Sequence, residues 1–210
     1  MEQSKYFAEK TDMHPKSWLS NFQQSSIVYL IKMGLFYTAI GLIASYIVYT
    51  LQYSLTGYEE PVVPASLIQM IMAGPFEETL FFGIPYAVTG NQFVVLGTGI
   101  LWAGMHVFNA SVVEMGNYSY ANLAFAIPHI FFSLRAWKSG NGWFTIPFHS
   151  GWNALAFSIA VLSGEMSFAI VDPTSGGIVD LASIILSIIL VGITYPLYRR
   201  RLKKNSKINS

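Results

Sequence analysis

The chain has 210 residues, about the size of one domain, with 12 Lys and Arg against 11 Asp and Glu and a net charge of +1. Hydrophobic residues make up 53% and charged residues 11%, against roughly 25% charged in an average soluble domain, and the mean hydropathy is +0.45. This is the composition of an integral membrane protein; it offers nothing to a nucleic acid, and the lack of cysteine excludes disulfides, thiolate metal sites and cysteine nucleophiles.

In chain order, residues 1–25 are polar, carry Lys5, Lys10, Lys16 and His14, and are expected to form a short cytosolic arm. The first apolar run starts near Ser26, too late and too long for the core of a signal peptide. A bilayer core of about 30 Å needs roughly 20 apolar residues per helix. Six segments approach that: about 26–53, 62–88, 92–110, 119–137, 144–163 and 179–198. Lys32, near the start of the first, can snorkel to the interface. The run "YRRRLKK" stops the last and opens a basic cytosolic tail, 199–210. The expected fold is all-α: a polytopic transmembrane helix bundle of about six spans, residues 26–198, enclosing a membrane-embedded polar cavity.

Loop charge gives the orientation. The arm, the tail (Arg199, Arg200, Arg201, Lys203, Lys204, Lys207) and the fourth-to-fifth connection (Arg135, Lys138) are basic. The opposite loops carry only acids: Glu59, Glu60, Glu114, Glu165 and Asp172. The positive-inside rule places both termini in the cytosol.

Inside the spans, apart from Lys32, Arg135 and Asp180 towards span ends, the residues with acid-base chemistry are Glu77, Glu78, His106, His129 and His149. Such residues are rare in bilayers and face a bundle interior or a wet cavity. Glu77 and Glu78 are helix neighbours whose side chains diverge by about 100°, so both are not expected to point at one target. One reactive and one supporting carboxylate is the expectation, or two neutral carboxyls bonded between helices. "GP" before them allows a break in the helix. Trp102 and His106 lie four apart on one face, where the tryptophan can pack on the imidazole; alternatively His106 is a bundle histidine bonded to a backbone carbonyl. His149 and Asn153 also lie four apart, so that two N–H groups can meet a developing oxyanion, or clamp two helices. Pro147 suits a helix start. His129 has no evident spaced partner and is taken as structural or cavity-lining. Together these residues suit amide hydrolysis without a covalent nucleophile.

The order "EETLFFG", "WAGMH", "HSGWN" resembles the CPBP (CAAX protease and bacteriocin-processing, or Abi) family of intramembrane proteases, which includes the type II CAAX prenyl endopeptidases. The resemblance covers roughly residues 75–153. It implies that Glu77 is the base that activates water, His106 orients that water, His149 and Asn153 form the oxyanion site, and Glu78 supports the cluster. It also implies an all-helical fold, a peptide or prenylated-peptide substrate met within the lipid bilayer, and a mechanism with no cofactor and no metal. One position departs from the family pattern: Phe82 stands where the first motif has an arginine. Phenylalanine cannot pair with a carboxylate, so how Glu78 is held becomes the question. Two alternatives stand beside the protease: a zinc hydrolase using His106, His149 and a glutamate, and a non-catalytic or proton-coupled membrane protein.

Overall fold

The computed structural model describes residues 27–57, 66–107, 120–164 and 167–208. The expected arm with its lysines and His14, the loop acids Glu59, Glu60, Glu114 and Glu165, and the expected span ends at 62–65, 108–110 and 119 lie outside the described residues.

Every regular element among the described residues is helical: α1 Ile27–Thr56, α2 Leu67–Glu77, a π-helical turn Glu78–Gly83, α3 Ile84–Thr89, α4 Gln92–Val107, α5 Tyr120–Lys138, a 3-10 turn Gly142–Phe144, α6 Thr145–Leu162 and α7 Ile178–Ile208. Each apolar segment of the sequence is therefore a helix. Two stretches, Val28–Thr56 and Ile178–Asn205, are long and apolar enough to cross a membrane. They turn large aliphatic side chains outward, among them Ile43, Ile47 and Leu51 on α1 and Leu181, Ile185 and Ile188 on α7.

Two expectations change. The last helix does not end at 198 but runs through the basic run to Ile208. Arginine and lysine are good helix formers, so the run ends an apolar stretch without ending a helix. Arg135, counted as a loop charge, lies inside α5 and is buried.

The residues form two compact units. One holds α1, α4, α5 and the 3-10 turn. There α1 packs along α5, burying Tyr29, Leu30, Met33 and Tyr37, a stripe at helical spacing. Gly41 permits the approach: a Cβ there would lie 3.0 Å from the Phe125 carbonyl oxygen. Arg135 extends along the same seam, with Nη2 3.3 Å from the Tyr29 hydroxyl and Nε 3.2 Å from Met33 Sδ. The α4 helix packs on the other side of α5, and Lys138 donates to Gln92 at that contact.

The other unit holds α2, the π turn, α3, α6 and α7. Its helix ends are closed by specific partners. Ser66 caps α2, accepting from the Gln69 N–H at 3.1 Å, while its hydroxyl donates to the buried carboxylate of Asp180. Asp180 also accepts the Asp172 N–H at 2.6 Å and sits in the first turn of α7, where the helix dipole favours a negative charge. The Leu67 N–H, one of the donors a helix start leaves orphaned, bonds to the Ala169 carbonyl at 2.9 Å. At the far end Arg201 donates to the carbonyls of Ala87 and Val88, the last turn of α3, and Asn205 reaches the Tyr86 hydroxyl at 3.4 Å. The basic run thus has a structural part: Arg201 and Asn205 turn inward while Arg199, Arg200, Lys203 and Lys204 stay exposed.

Candidate active site

The first half of the site is built on α2 and α6. Pro75 has no N–H, so the Ile71 carbonyl loses the partner a continuous helix would supply. The chain nevertheless stays helical through "GP", because Ser150 on α6 donates its hydroxyl to the Ile71 carbonyl at 2.7 Å. A serine from a neighbouring helix is a recurrent remedy for a proline-freed carbonyl at membrane depth. Gly74 makes it accessible. A Cβ there would lie 2.2 Å from Ser150 Oγ, 2.7 Å from the Ile146 oxygen and 2.8 Å from the Ser150 nitrogen. The helix then widens rather than breaks: the Ile84 N–H bonds to the Thr79 carbonyl, and the π turn begins at Glu78. Such turns are frequent at functional sites.

Glu78 lies one helical turn beyond Gly74, and His149 immediately precedes Ser150, so the close contact carries them together. His149 Nδ1 is 3.2 Å from Glu78 Oε1, a hydrogen bond, and Nε2 is 3.7 Å from Glu77 Oε2, an ion-pair distance. The expectation that the adjacent carboxylates cannot share a target is corrected. An imidazole has a nitrogen on each of two edges, and each edge takes one carboxylate. The two glutamates are unequal in access: the Glu78 side chain is 0% exposed and the Glu77 side chain 21%, with His149 at 7%. Asn153 lies one turn further along α6 and is partly exposed.

Phe82, where the family pattern has arginine, is fully buried in the π turn. The partner of Glu78 is His149 on another helix, not a cation four residues on. As ligands for an ion, Glu77, Glu78 and His149 are the right residue types. Both imidazole nitrogens, however, already face carboxylates, so ligation would require one of those contacts to open.

His106 and His129 lie in the other unit. On α4, His106 Nδ1 is 2.9 Å from the Trp102 carbonyl oxygen, and its ring meets the Trp102 ring at 4.6 Å and 62°. Both alternatives for this residue hold at once: it is packed by the tryptophan and bonded to a backbone carbonyl. An Nδ1–H given to the carbonyl leaves the lone pair on Nε2. His129 on α5 packs on the same Trp102 ring, 5.2 Å away, and its Nε2 is 3.2 Å from Ser133 Oγ. Its spaced partner was therefore present, four residues on, and went unread because serine was not counted. Ser150 was missed for a related reason. The signal was Pro75, which demands a donor for Ile71 from elsewhere, but "GP" suggested only a break.

Residues 59–155 match the family described as Type II CAAX prenyl endopeptidase Rce1-like. No curated protein and no solved structure matches the chain. The matched stretch holds Glu77, Glu78, His106, His149 and Asn153. Over residues 59–155 the chain is thus similar to the Rce1-like type II CAAX prenyl endopeptidases, a family of proteases.

Proposed function

We propose that the protein is an intramembrane endopeptidase that hydrolyses a peptide bond with a water activated by Glu77, acting on CAAX-type prenylated peptides at the cytosolic leaflet. The observation that carries this reading is the pair of unequal carboxylates on one imidazole. Glu78 is sealed and hydrogen-bonded, so it holds His149; Glu77 keeps an exposed edge, so water can reach it. Glu77 takes a proton from that water, whose oxygen attacks the scissile carbonyl carbon. The carbonyl oxygen becomes an oxyanion, which the Asn153 amide N–H stabilises together with the His149 Nε2–H, released from Glu77 as that carboxylate takes up its proton. The C–N bond then breaks, and the proton held by Glu77 passes to the leaving amine. The family resemblance gives His106 the task of orienting the water, and its bond to the Trp102 carbonyl fixes the tautomer suited to accept from it. In this reading all six helical segments cross the bilayer, with both termini in the cytosol.

The test is cleavage of a prenylated CAAX-type peptide by purified protein in detergent. Glu77→Ala is expected to lower the rate by about 10²-fold or more, the scale of general-base catalysis. Full activity in that variant would rule out the mechanism.

Phe82 favours one second reading, a non-catalytic or proton-coupled membrane protein, since the family pattern has an arginine there. That reading expects substrate flux driven by a pH gradient in liposomes and no product peptide in detergent. A zinc-dependent protease would instead lose cleavage to chelators and regain it with the metal.

A further inference from the structure

Three observations converge on Ser150, which lies within the "HSGWN" stretch but has no role in the motif. Pro75 strips the Ile71 carbonyl of its helical donor. The Ser150 hydroxyl supplies the replacement at 2.7 Å. Gly74 is the one residue type that lets the two backbones come this close, because its Cβ position is occupied by Ser150 itself. The hydroxyl has a single short rotor, so the bond tolerates little sliding of α6 along α2. His149 is the preceding residue on α6, and Glu77, the last residue of α2, and Glu78, the first of the π turn, follow Pro75 within one helical turn. A slide that broke the Ser150 bond would also draw His149 away from both carboxylates.

We propose that Ser150 is a positioning residue: its bond to the Ile71 carbonyl sets the register of α6 on α2 at which His149 meets Glu77 and Glu78. Its kinetic consequence rests on the endopeptidase reading; its geometric consequence does not. A plain structural role, satisfying one proline-freed carbonyl, makes a different prediction, and Pro75 provides the means to separate the two. Alanine at 75 has an N–H that can donate to the Ile71 carbonyl from within α2. The carbonyl is then satisfied, but α6 is no longer tied to it.

The experiment compares wild type, Ser150→Ala and Pro75→Ala/Ser150→Ala for thermal unfolding, peptide cleavage and the ring resonances of His149 in isotope-labelled protein, assigned by their loss in His149→Ala. Ser150→Ala is expected to unfold at lower temperature. Its kcat should be about tenfold lower with KM changed less than about twofold, since displaced catalytic groups cost turnover before binding. The double variant should recover thermal stability but keep the low kcat and the displaced His149 resonances. Wild-type kcat or resonances in Ser150→Ala overturn the proposal. So does a double variant that regains wild-type kcat, which reduces Ser150 to a carbonyl partner, or one that fails to fold although α2 has its N–H back. If Ser150→Ala does not fold, the double variant alone decides. If the wild type cleaves nothing, the endopeptidase reading fails, and the His149 resonances still test the register.

Discussion

In the unit of α2, α3, α6 and α7, the imidazole of His149 is held by two carboxylates. In the unit of α1, α4 and α5, the imidazoles of His106 and His129 are held by a backbone carbonyl, a serine hydroxyl and the ring of Trp102. The first arrangement ties the ring's protons to the charge of its neighbours. The second sets a tautomer and an orientation through the neutral partners named. In the endopeptidase reading proposed above, the first kind of control bears on where protons reside and the second on where a lone pair points. The difference also explains the burial pattern. A carboxylate is sealed from solvent at 0% exposure only where it has a hydrogen-bond donor, and His149 supplies that for Glu78.

The comparison breaks most readily at Glu78. Glu78→Ala is expected to lower cleavage by about 10²-fold, as a misplaced catalytic group does. It should also lower stability by about 1–3 kcal/mol, because a buried imidazole nitrogen loses its partner. Turnover and denaturant unfolding in the same detergent check both effects; unchanged turnover would mean that the sealed carboxylate is only a packing element. A smaller effect is expected in the other unit. Trp102→Leu keeps an apolar side chain at this position but removes the ring contacts to both histidines. Such contacts contribute about 0.5–1.5 kcal/mol, so cleavage should fall roughly two- to tenfold. A loss matching that of Glu78→Ala would erase the distinction drawn between the units.

The smallest effect concerns Asp172, in the connection between α6 and α7. Its carboxylate accepts hydrogen bonds from Ser175 and from both the hydroxyl and the backbone N–H of Thr174, which hold its pKa down to about 2 from the ordinary 3.8. A depressed carboxylate stabilises the fold fully above its unfolded value, and that contribution is lost as pH falls from about 4 towards 2. Thermal unfolding between pH 5 and 3, each about a unit to either side of the ordinary value, should therefore show a steeper loss in wild type than in Asp172→Asn. Parallel curves would show that these hydrogen bonds do not persist in solution.

Much of the helical layout was legible in the sequence. The segments expected at 144–163 and 92–110 correspond to Thr145–Leu162 and Gln92–Val107, because long apolar runs between polar turns have few other ways to satisfy their backbones. The Trp102 and His106 contact was legible too, since four-residue spacing on one helix makes neighbours. The partner of Glu78 was not. The family pattern pointed to position 82, which holds a phenylalanine; the partner is His149, 71 residues away in sequence. "GP" allows a break, and the sequence counts Arg135 as a loop charge, yet one lies in a continuous helix and the other in a helix seam.

The sequence by itself determined the all-helical class, the membrane character and the residues with chemistry to offer, since these follow from composition, apolar run length and the cost of burying charge. Only the tertiary structure decided which of them meet. That choice depends on a glycine thin enough to admit a second backbone and a serine able to replace the hydrogen bond a proline removes. Neither property has any consequence until the second helix is in place.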